Sequence, residues 1–335
     1  MDVCSEQHLI CLDLGTTYSR VWLLCGDEVV ARSIRPVGVR LVATEGSTRR
    51  IVTAVRDLVA DVRSQAGDTH QPKCIAAAGM ITSELGLKEI PHVVAPAGLK
   101  EIVSGSQWHH LDEISDLPFL MVPGVRTTLN NSPEDVMRGE ETLCLGLISS
   151  GALTIPGVVM NLGSHWKAIK VDSSGRISKS VTSLSGELID AARTQTVLAS
   201  SLPKEFLCKL TWKWVEAGMT ECRQAGLPRA LFRIRLLEIG KEGTAEERLA
   251  FLAGAFIAAD LDALVARGFL EDKQVVLSGR PGIADCWRRA LQEISVQAYV
   301  LSTNDTERVF LIGLQQIVNG VQSRKEAQEA QMSIG

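Results

Sequence analysis

The sequence predicts an α/β protein of two domains built on mixed sheets, and three observations carry that expectation. The chain has 335 residues, more than one hydrophobic core usually organises, so division into 1–145 and 146–335 is the natural expectation. It opens with a strand, a glycine turn, a returning strand, a hairpin and a third strand between Leu9 and Ile34. The same order recurs from Val158 to Val181, which reads as a diverged internal duplication.

In the first copy, Leu9-Ile10-Cys11-Leu12 has the length and apolarity of a buried strand. It ends in Asp13-Leu14-Gly15-Thr16-Thr17, and Arg20 to Leu24 runs back. An Asp at the mouth of a strand suits a hydrated Mg2+, which reaches protein through one or two carboxylates. Gly15 lets the backbone approach an anion, and Thr16 and Thr17 add hydroxyl and amide donors. An ordinary hairpin with a polar turn explains the same five residues. Glu28 to Ile34 alternates as a third strand, Pro36-Val37-Gly38-Val39 breaks it, and Ser47 would cap a helix carrying Ile51, Val55, Leu58, Val59 and Val62.

Cys74 to Ala78 reads as a short strand leading into Gly79-Met80. The stretch through Pro91 and Pro96 reads as a cover of loops or short strands, and Trp108-His109-His110 as a solvated turn. Leu117 to Val122 is a further strand. The charged block Asp135-Val136-Met137-Arg138-Gly139-Glu140-Glu141-Thr142 then leads into an apolar helix, Leu143 to Ile148. Carboxylates are favoured at a helix start, so capping alone accounts for both glutamates.

The second copy begins with the strand Val158 to Leu162, the turn Gly163-Ser164-His165-Trp166-Lys167 and the strand Ala168 to Val171. Asp172-Ser173-Ser174-Gly175 is a hairpin turn and Ile177 to Val181 returns. From Ser185 the pattern is mostly helical, with a long apolar helix from Glu246 to Ala266. Val275 to Leu277 is a strand ending in Ser278-Gly279-Arg280-Pro281-Gly282, a form shared by nucleotide-binding turns and plain strand-to-helix loops. The polar tail after Gln322 reads as frayed.

Composition narrows the function. A net charge of -4 offers no field for nucleic acid, so any anion site must be local. The eight cysteines (Cys4, Cys11, Cys25, Cys74, Cys144, Cys208, Cys222 and Cys286) form no CxxC pair and no zinc-like spacing with histidine, and read as reduced core thiols. The opening residues lack a secretory pattern and no window reads as a membrane span. A cytoplasmic location is therefore expected, and the glycosylation triplets at Asn130 and Asn304 carry no meaning.

Taken together, ICLDLGTTYSRVWL, AAGMITSELGLKEIPHVVAPA, MVPGV, DVMRGEET, GSHWKAIKVD, SLSGEL and VFLIGLQQIV resemble, in order and across nearly the whole chain, the 2-dehydro-3-deoxygalactonokinase family of the sugar kinase/Hsp70/actin superfamily. The resemblance implies two actin-like (ribonuclease H-like) domains with an ATP cleft between them. It also implies ATP-dependent phosphorylation of 2-dehydro-3-deoxy-D-galactonate to its 6-phosphate. On that reading Asp13 holds Mg2+ through water, while Gly15, Thr16 and Thr17 meet the phosphates from one domain and Gly163 and Ser164 from the other. Ser278 and Gly279 line the adenosine pocket. Glu140 or Glu141, with Asp135 as a further candidate, takes the proton of the attacking hydroxyl. Arg138 and Lys167 would face the substrate carboxylate or the phosphate, with His165 as a neutral donor; an exposed strand-edge lysine explains Lys167 and an ion pair explains Arg20 as well.

The family pattern is not kept throughout. Leu14 and Leu162 replace its Trp and Pro, Trp166 and Ala168 shift its aromatic, and Ser185 replaces its Thr. These departures leave the sugar acid open, so a kinase of another sugar and a non-catalytic ligand sensor stand as alternatives. The expected partners are a small sugar acid and ATP, without nucleic acid or membrane, in a monomer or homodimer.

Overall fold

The computed structural model describes residues 8–67, 69–129, 132–206, 209–271 and 274–332; Cys4, Cys208 and Asn130 lie outside them. The chain forms two compact units. One takes the residues up to Ala152, the short return Gly175–Ser178 and those from Glu307 onward; the other takes Leu153–Ser174 and Lys179–Thr306. The division is thus not at 145 and 146, a point that falls inside a helix, and the closing helix belongs to the first unit from Glu307 onward.

The first unit runs β1 (His8–Leu14), β2 (Ser19–Cys25), β3 (Glu28–Arg35), α1 (Arg40–Glu45), α2 (Arg49–Ala66), β4 (Ile75–Gly79), β5 (Val93–Val94), α3 (Leu99–Gly105), β6 (Gln107–His109), β7 (Phe119–Met121), β8 (Val125–Leu129), β9 (Ser132–Met137) and α4 (Glu140–Ser149). Its main sheet has the order β3-β2-β1-β4-β7-β6. β1 is antiparallel to β2 and parallel to β4. Ile10, Leu12 and Leu14 pack with Ile51, Val55 and Leu58 of α2, so the helical spacing in the sequence is the stripe that covers this sheet. Tryptophan, histidine and histidine at 108–110 are not simply a turn: Trp108 and His109 lie in edge strand β6, paired antiparallel with β7.

The second unit runs β10 (Gly157–Leu162), β11 (Trp166–Val171), β12 (Ile177–Ser183), α5 (Ser185–Gln195), α6 (Trp212–Ala225), α7 (Leu227–Ile239), α8 (Ala245–Ala266), β13 (Gln274–Gly279), α9 (Pro281–Glu293) and β14 (Gln297–Val300). Its sheet has the order β12-β11-β10-β13-β14, the same sequence of connections as β3-β2-β1-β4-β7. β10 is antiparallel to β11 and parallel to β13. The duplication expected from Val158 is therefore present in the topology.

By length and composition α8 is long and apolar enough to cross a membrane, contrary to the sequence expectation. Its residues from Leu249 to Ala258 are buried in the core of the second unit. A Cβ on Gly218 of α6 would strike the Phe251 carbonyl, and one on Gly254 of α8 would strike that of Val215. These two glycines let the helix backbones approach closely, and that packing absorbs the apolar surface. A capping box starts α8: the Glu247 N–H donates to Thr244 Oγ1 at 3.2 Å and the Thr244 N–H to Glu247 Oε2 at 2.8 Å.

The final helix, α10 (Thr303–Met332), continues through the segment expected to fray. Phe310 lies 6.1 Å from the Trp22 ring of β2, and Gly313 sits against the Thr142 carbonyl of α4. α10 therefore covers the sheet face opposite α2.

Candidate active site

In the first unit the site is assembled where β1 and β4 end. Asp13 pairs with Arg20 across the β1–β2 ladder, Oδ2 accepting from Nη1 at 2.9 Å. The ion pair weighed for Arg20 is present. Burial raises the Asp13 carboxyl above its ordinary pKa, Arg20 opposes that, and the charge of Glu140 adds to it. The turn after β1 closes with the Gly15 N–H donating to the Tyr18 carbonyl at 2.8 Å.

Two glycines missed as site residues in the sequence bring the other pieces close. Gly79, with φ +84°, ends β4; a Cβ there would lie 2.7 Å from the Leu14 carbonyl oxygen and 3.0 Å from Asp13 Oδ1. Gly139, with φ +100°, precedes α4, and its Cβ would lie 3.4 Å from Gly79 Cα. This contact chain runs from Asp13 through Gly79 to the start of α4. The positive φ calls for glycine at both positions, and at Gly79 the close approach of the Leu14 carbonyl adds to it.

The two adjacent glutamates have different surroundings. Glu141 is fully buried and accepts the Gly139 N–H on both oxygens, at 2.9 and 2.8 Å, while Oε1 also accepts from Thr142 Oγ1 at 3.2 Å. Its carboxylate is committed to the helix start. Glu140 is only part-buried and acts electrostatically on Asp13.

Arg138 is held by its own unit. Nη1 donates to Thr82 Oγ1 at 2.8 Å, Nη2 donates to the Ile90 carbonyl at 2.8 Å, and Nη2 lies 3.3 Å from His92 Nδ1. Burial lowers its pKa, and Glu141, Glu89 and Glu84 counteract that. The guanidinium ties the start of α4 to the 80–92 segment. Asp135 lies on β9, two residues before that strand ends.

The second unit repeats the pattern. Asn161 opposes Lys167 on the ladder, as Asp13 opposes Arg20, and is beside Ser278 on the parallel side, as Asp13 is beside Ala78. Ser278 Oγ donates to Asn161 Oδ1 at 3.2 Å. Gly279 meets the Leu162 carbonyl as Gly79 meets that of Leu14. Lys167 is buried on an interior strand, which removes the exposed-edge explanation. His165 Nε2 lies 3.2 Å from Glu187 Oε2.

Both glycine turns are backed by a further glycine. A Cβ on Gly38 would lie 2.5 Å from the Thr16 carbonyl carbon and oxygen, and one on Gly186 would strike the Gly163 oxygen and lie 2.7 Å from that of Ser164. The Arg40 N–H donates to the Thr16 carbonyl at 3.0 Å, and the Glu187 N–H to that of Ser164 at 2.7 Å. Aligning PVGV with LSGE, as well as DLGTT with NLGSH, would have exposed this third repeated element.

Other contacts anchor the second turn. Ser183 and Ser185 donate to Asp260 Oδ2 of α8 at 2.5 and 2.8 Å. Trp166 and Trp287 stack edge to face at 5.7 Å, so the relocated aromatic fills the core under the turn. Arg280, directly after Gly279, donates to both oxygens of Asp190 at 3.1 and 2.6 Å and lies 4.8 Å from the Phe206 ring centre.

Burial would raise the Asp190 carboxyl, but its bonds to Arg280 and Arg193 prevail and hold it below its ordinary range. The contribution of this clamp to stability is present above about pH 4, the unfolded value, and is lost as pH falls through the folded one. Asp190→Asn is expected to flatten the acid side of the melting-temperature curve. Melting curves collected from neutral pH down into the acid transition test this; an unchanged acid limb contradicts it.

The sequence profile of the 2-keto-3-deoxy-galactonokinase family matches residues 13–317. Among solved structures, a protein from Sinorhizobium meliloti that carries the provisional name 2-dehydro-3-deoxygalactonokinase has 22% identity and a TM-score of 0.75, over 93% of this chain and 96% of that one. The activator of 2-hydroxyisocaproyl-CoA dehydratase from Clostridium difficile, solved with ADPNP, has 13% identity and a TM-score of 0.50, over 96% of this chain and 98% of that one. A comparison with curated protein sequences finds no match. The likeness in structure shows the actin-like fold, and the profile spans both units. The chain belongs to the 2-keto-3-deoxy-galactonokinase family and is a carbohydrate kinase of the sugar-acid class.

Proposed function

We propose that the protein transfers the terminal phosphoryl group of ATP to the 6-hydroxyl of 2-dehydro-3-deoxy-D-galactonate. The observation that carries this reading is the family match over 13–317, which includes both glycine turns and the start of α4. Nucleotide use is carried over from the fold, since the Clostridium difficile activator holds ADPNP.

Phosphoryl transfer needs an acceptor hydroxyl held in line and neutralised charge on the transferred group. Glu140 accepts the proton of the attacking hydroxyl, because Glu141 is committed to Gly139. Asp13 would hold a hydrated Mg2+, which would neutralise phosphate charge; a carboxylate at a strand end beside backbone rather than a bulky side chain fits that ion. Gly15, Thr16 and Thr17 donate to phosphate oxygens. In the second unit, Gly163, Ser164, His165 and Lys167 offer donors to phosphate oxygens, and Ser278 and Gly279 serve the adenosine.

A coupled ADP-release screen over sugar acids tests the proposal. 2-Dehydro-3-deoxy-D-galactonate is expected to stimulate release most; stimulation by a different acid alone reassigns the substrate, and none at all removes the kinase reading for this site. Asp13→Asn is expected to abolish Mg2+-dependent turnover without lowering the melting temperature at neutral pH. The carboxylate it replaces is penalised by burial in the fold, so its removal takes away a cost. A large drop in melting temperature would refute this account of Asp13.

A further inference from the structure

At the end of β1 remote from Asp13, three side chains from separate segments converge: His8 starts β1, Cys25 ends β2, and His70 precedes β4. His8 and Cys25 are directly paired on the antiparallel ladder. His70 Nδ1 lies 2.9 Å from His8 Nε2, and the rings meet edge to face at 4.9 Å. One ligand atom from each of the three residues lies within 4.8 Å of the others, and all three are part-buried.

We propose that His8, Cys25 and His70 form a binding site for Zn2+, independent of the phosphoryl-transfer centre. Two imidazoles and a thiolate are the donor set this ion selects over Mg2+, which takes oxygen ligands. Tetrahedral Zn–N bonds of about 2.0 Å and Zn–S bonds of about 2.3 Å place ligand atoms about 3.3–3.6 Å apart, so the cluster needs only small side-chain rotations. Binding releases the Cys25 thiol proton. The hydrogen that one imidazole donates to the other moves to the far nitrogen of its own ring, so two neutral histidines become ligands with no further proton lost.

A cavity touches the cluster at His8 and is lined also by Asp27, Lys73, Gln315 and Asn319 among others; a water or small anion entering from it would be the fourth ligand. Gln315 of α10 donates to the Gly26 carbonyl at 2.7 Å, so the metal would pin the β2–β3 turn beside the closing helix. The sequence spacing 8, 25 and 70 hides this arrangement, because only the β1–β2 register and the approach to β4 bring the residues together.

The test uses the full-length protein, stripped of metal under reducing conditions and titrated with Zn2+ against a chromophoric chelator, with Co2+ as a spectroscopic probe. Expected are a single tight equivalent, a thiolate-to-Co2+ charge-transfer band in the near ultraviolet, and a higher melting temperature with Zn2+. Cys25→Ser should abolish the band, and His70→Ala should weaken binding by at least about 100-fold. Circular dichroism checks that both variants fold, and His70 lies outside any helix or strand. Folded wild type that takes up no Zn2+, or variants that bind it as tightly as wild type, overturn the proposal. Mg2+ at Asp13 gives no thiolate band, so the kinase reading stands or falls separately.

Discussion

Glu140→Gln is expected to lower kcat by about 10²–10⁴-fold while leaving the melting temperature near that of the wild type, whereas Glu141→Gln should do the reverse. The contrast follows from one residue of helix rotation, about 100°, which points neighbouring side chains to different surroundings. Glu141 is inside the protein and takes the Gly139 N–H on both oxygens; an amide there presents its own N–H group to a donor and leaves a buried mismatch costing about 1–3 kcal/mol. Glu140 is part-buried and its charge reaches Asp13, so neutralising it removes an unfavourable interaction. Steady-state turnover and thermal melts of the two variants separate the roles. A Glu140→Gln enzyme with full turnover would eliminate it as the base.

The second large effect is expected at Gly186. A methyl group there would fall on the Gly163 carbonyl oxygen, which is backbone and cannot swing aside like a flexible side chain. The turn and the start of α5 must separate, disturbing the Glu187 N–H bond to Ser164 and the His165 contact to Glu187. Overpacking of this kind costs about 1–3 kcal/mol. Gly186→Ala should therefore melt lower and bind nucleotide more weakly, and Gly38→Ala should do the same through Thr16. Calorimetric titration of ADP with each variant measures the affinity; wild-type affinity in both would show that these glycines do not shape a nucleotide site.

Much of the fold was legible in the sequence because burial on both faces makes the central strands continuous apolar runs. Ile10 to Leu12 and Val158 to Met160 need no partner information to be recognised. The β8–β9 hairpin was missed because VRTTL and SPEDVM are short and polar. Helix α1 escaped notice because it has six residues and follows Pro36 and Gly38. The closing segment was misjudged for a different reason: RKEAQEAQ is polar, yet every residue in it is a good helix former, and polarity of a helix tail is not fraying. At the site, the turn residues could be read locally and Asn161 and Gly186 by aligning the two copies, while Gly79 and Gly139 depend on segments distant in sequence.

The return of α10 to the first unit has a consequence for synthesis. As the polypeptide leaves the ribosome, the stretch that makes most of the second unit is complete by Thr306, before the helix that shields Trp22 has emerged. The first unit's sheet must wait, one side bare, for this later-made helix, so nascent chains arrested before residue 307 would expose that surface to chaperones and proteases.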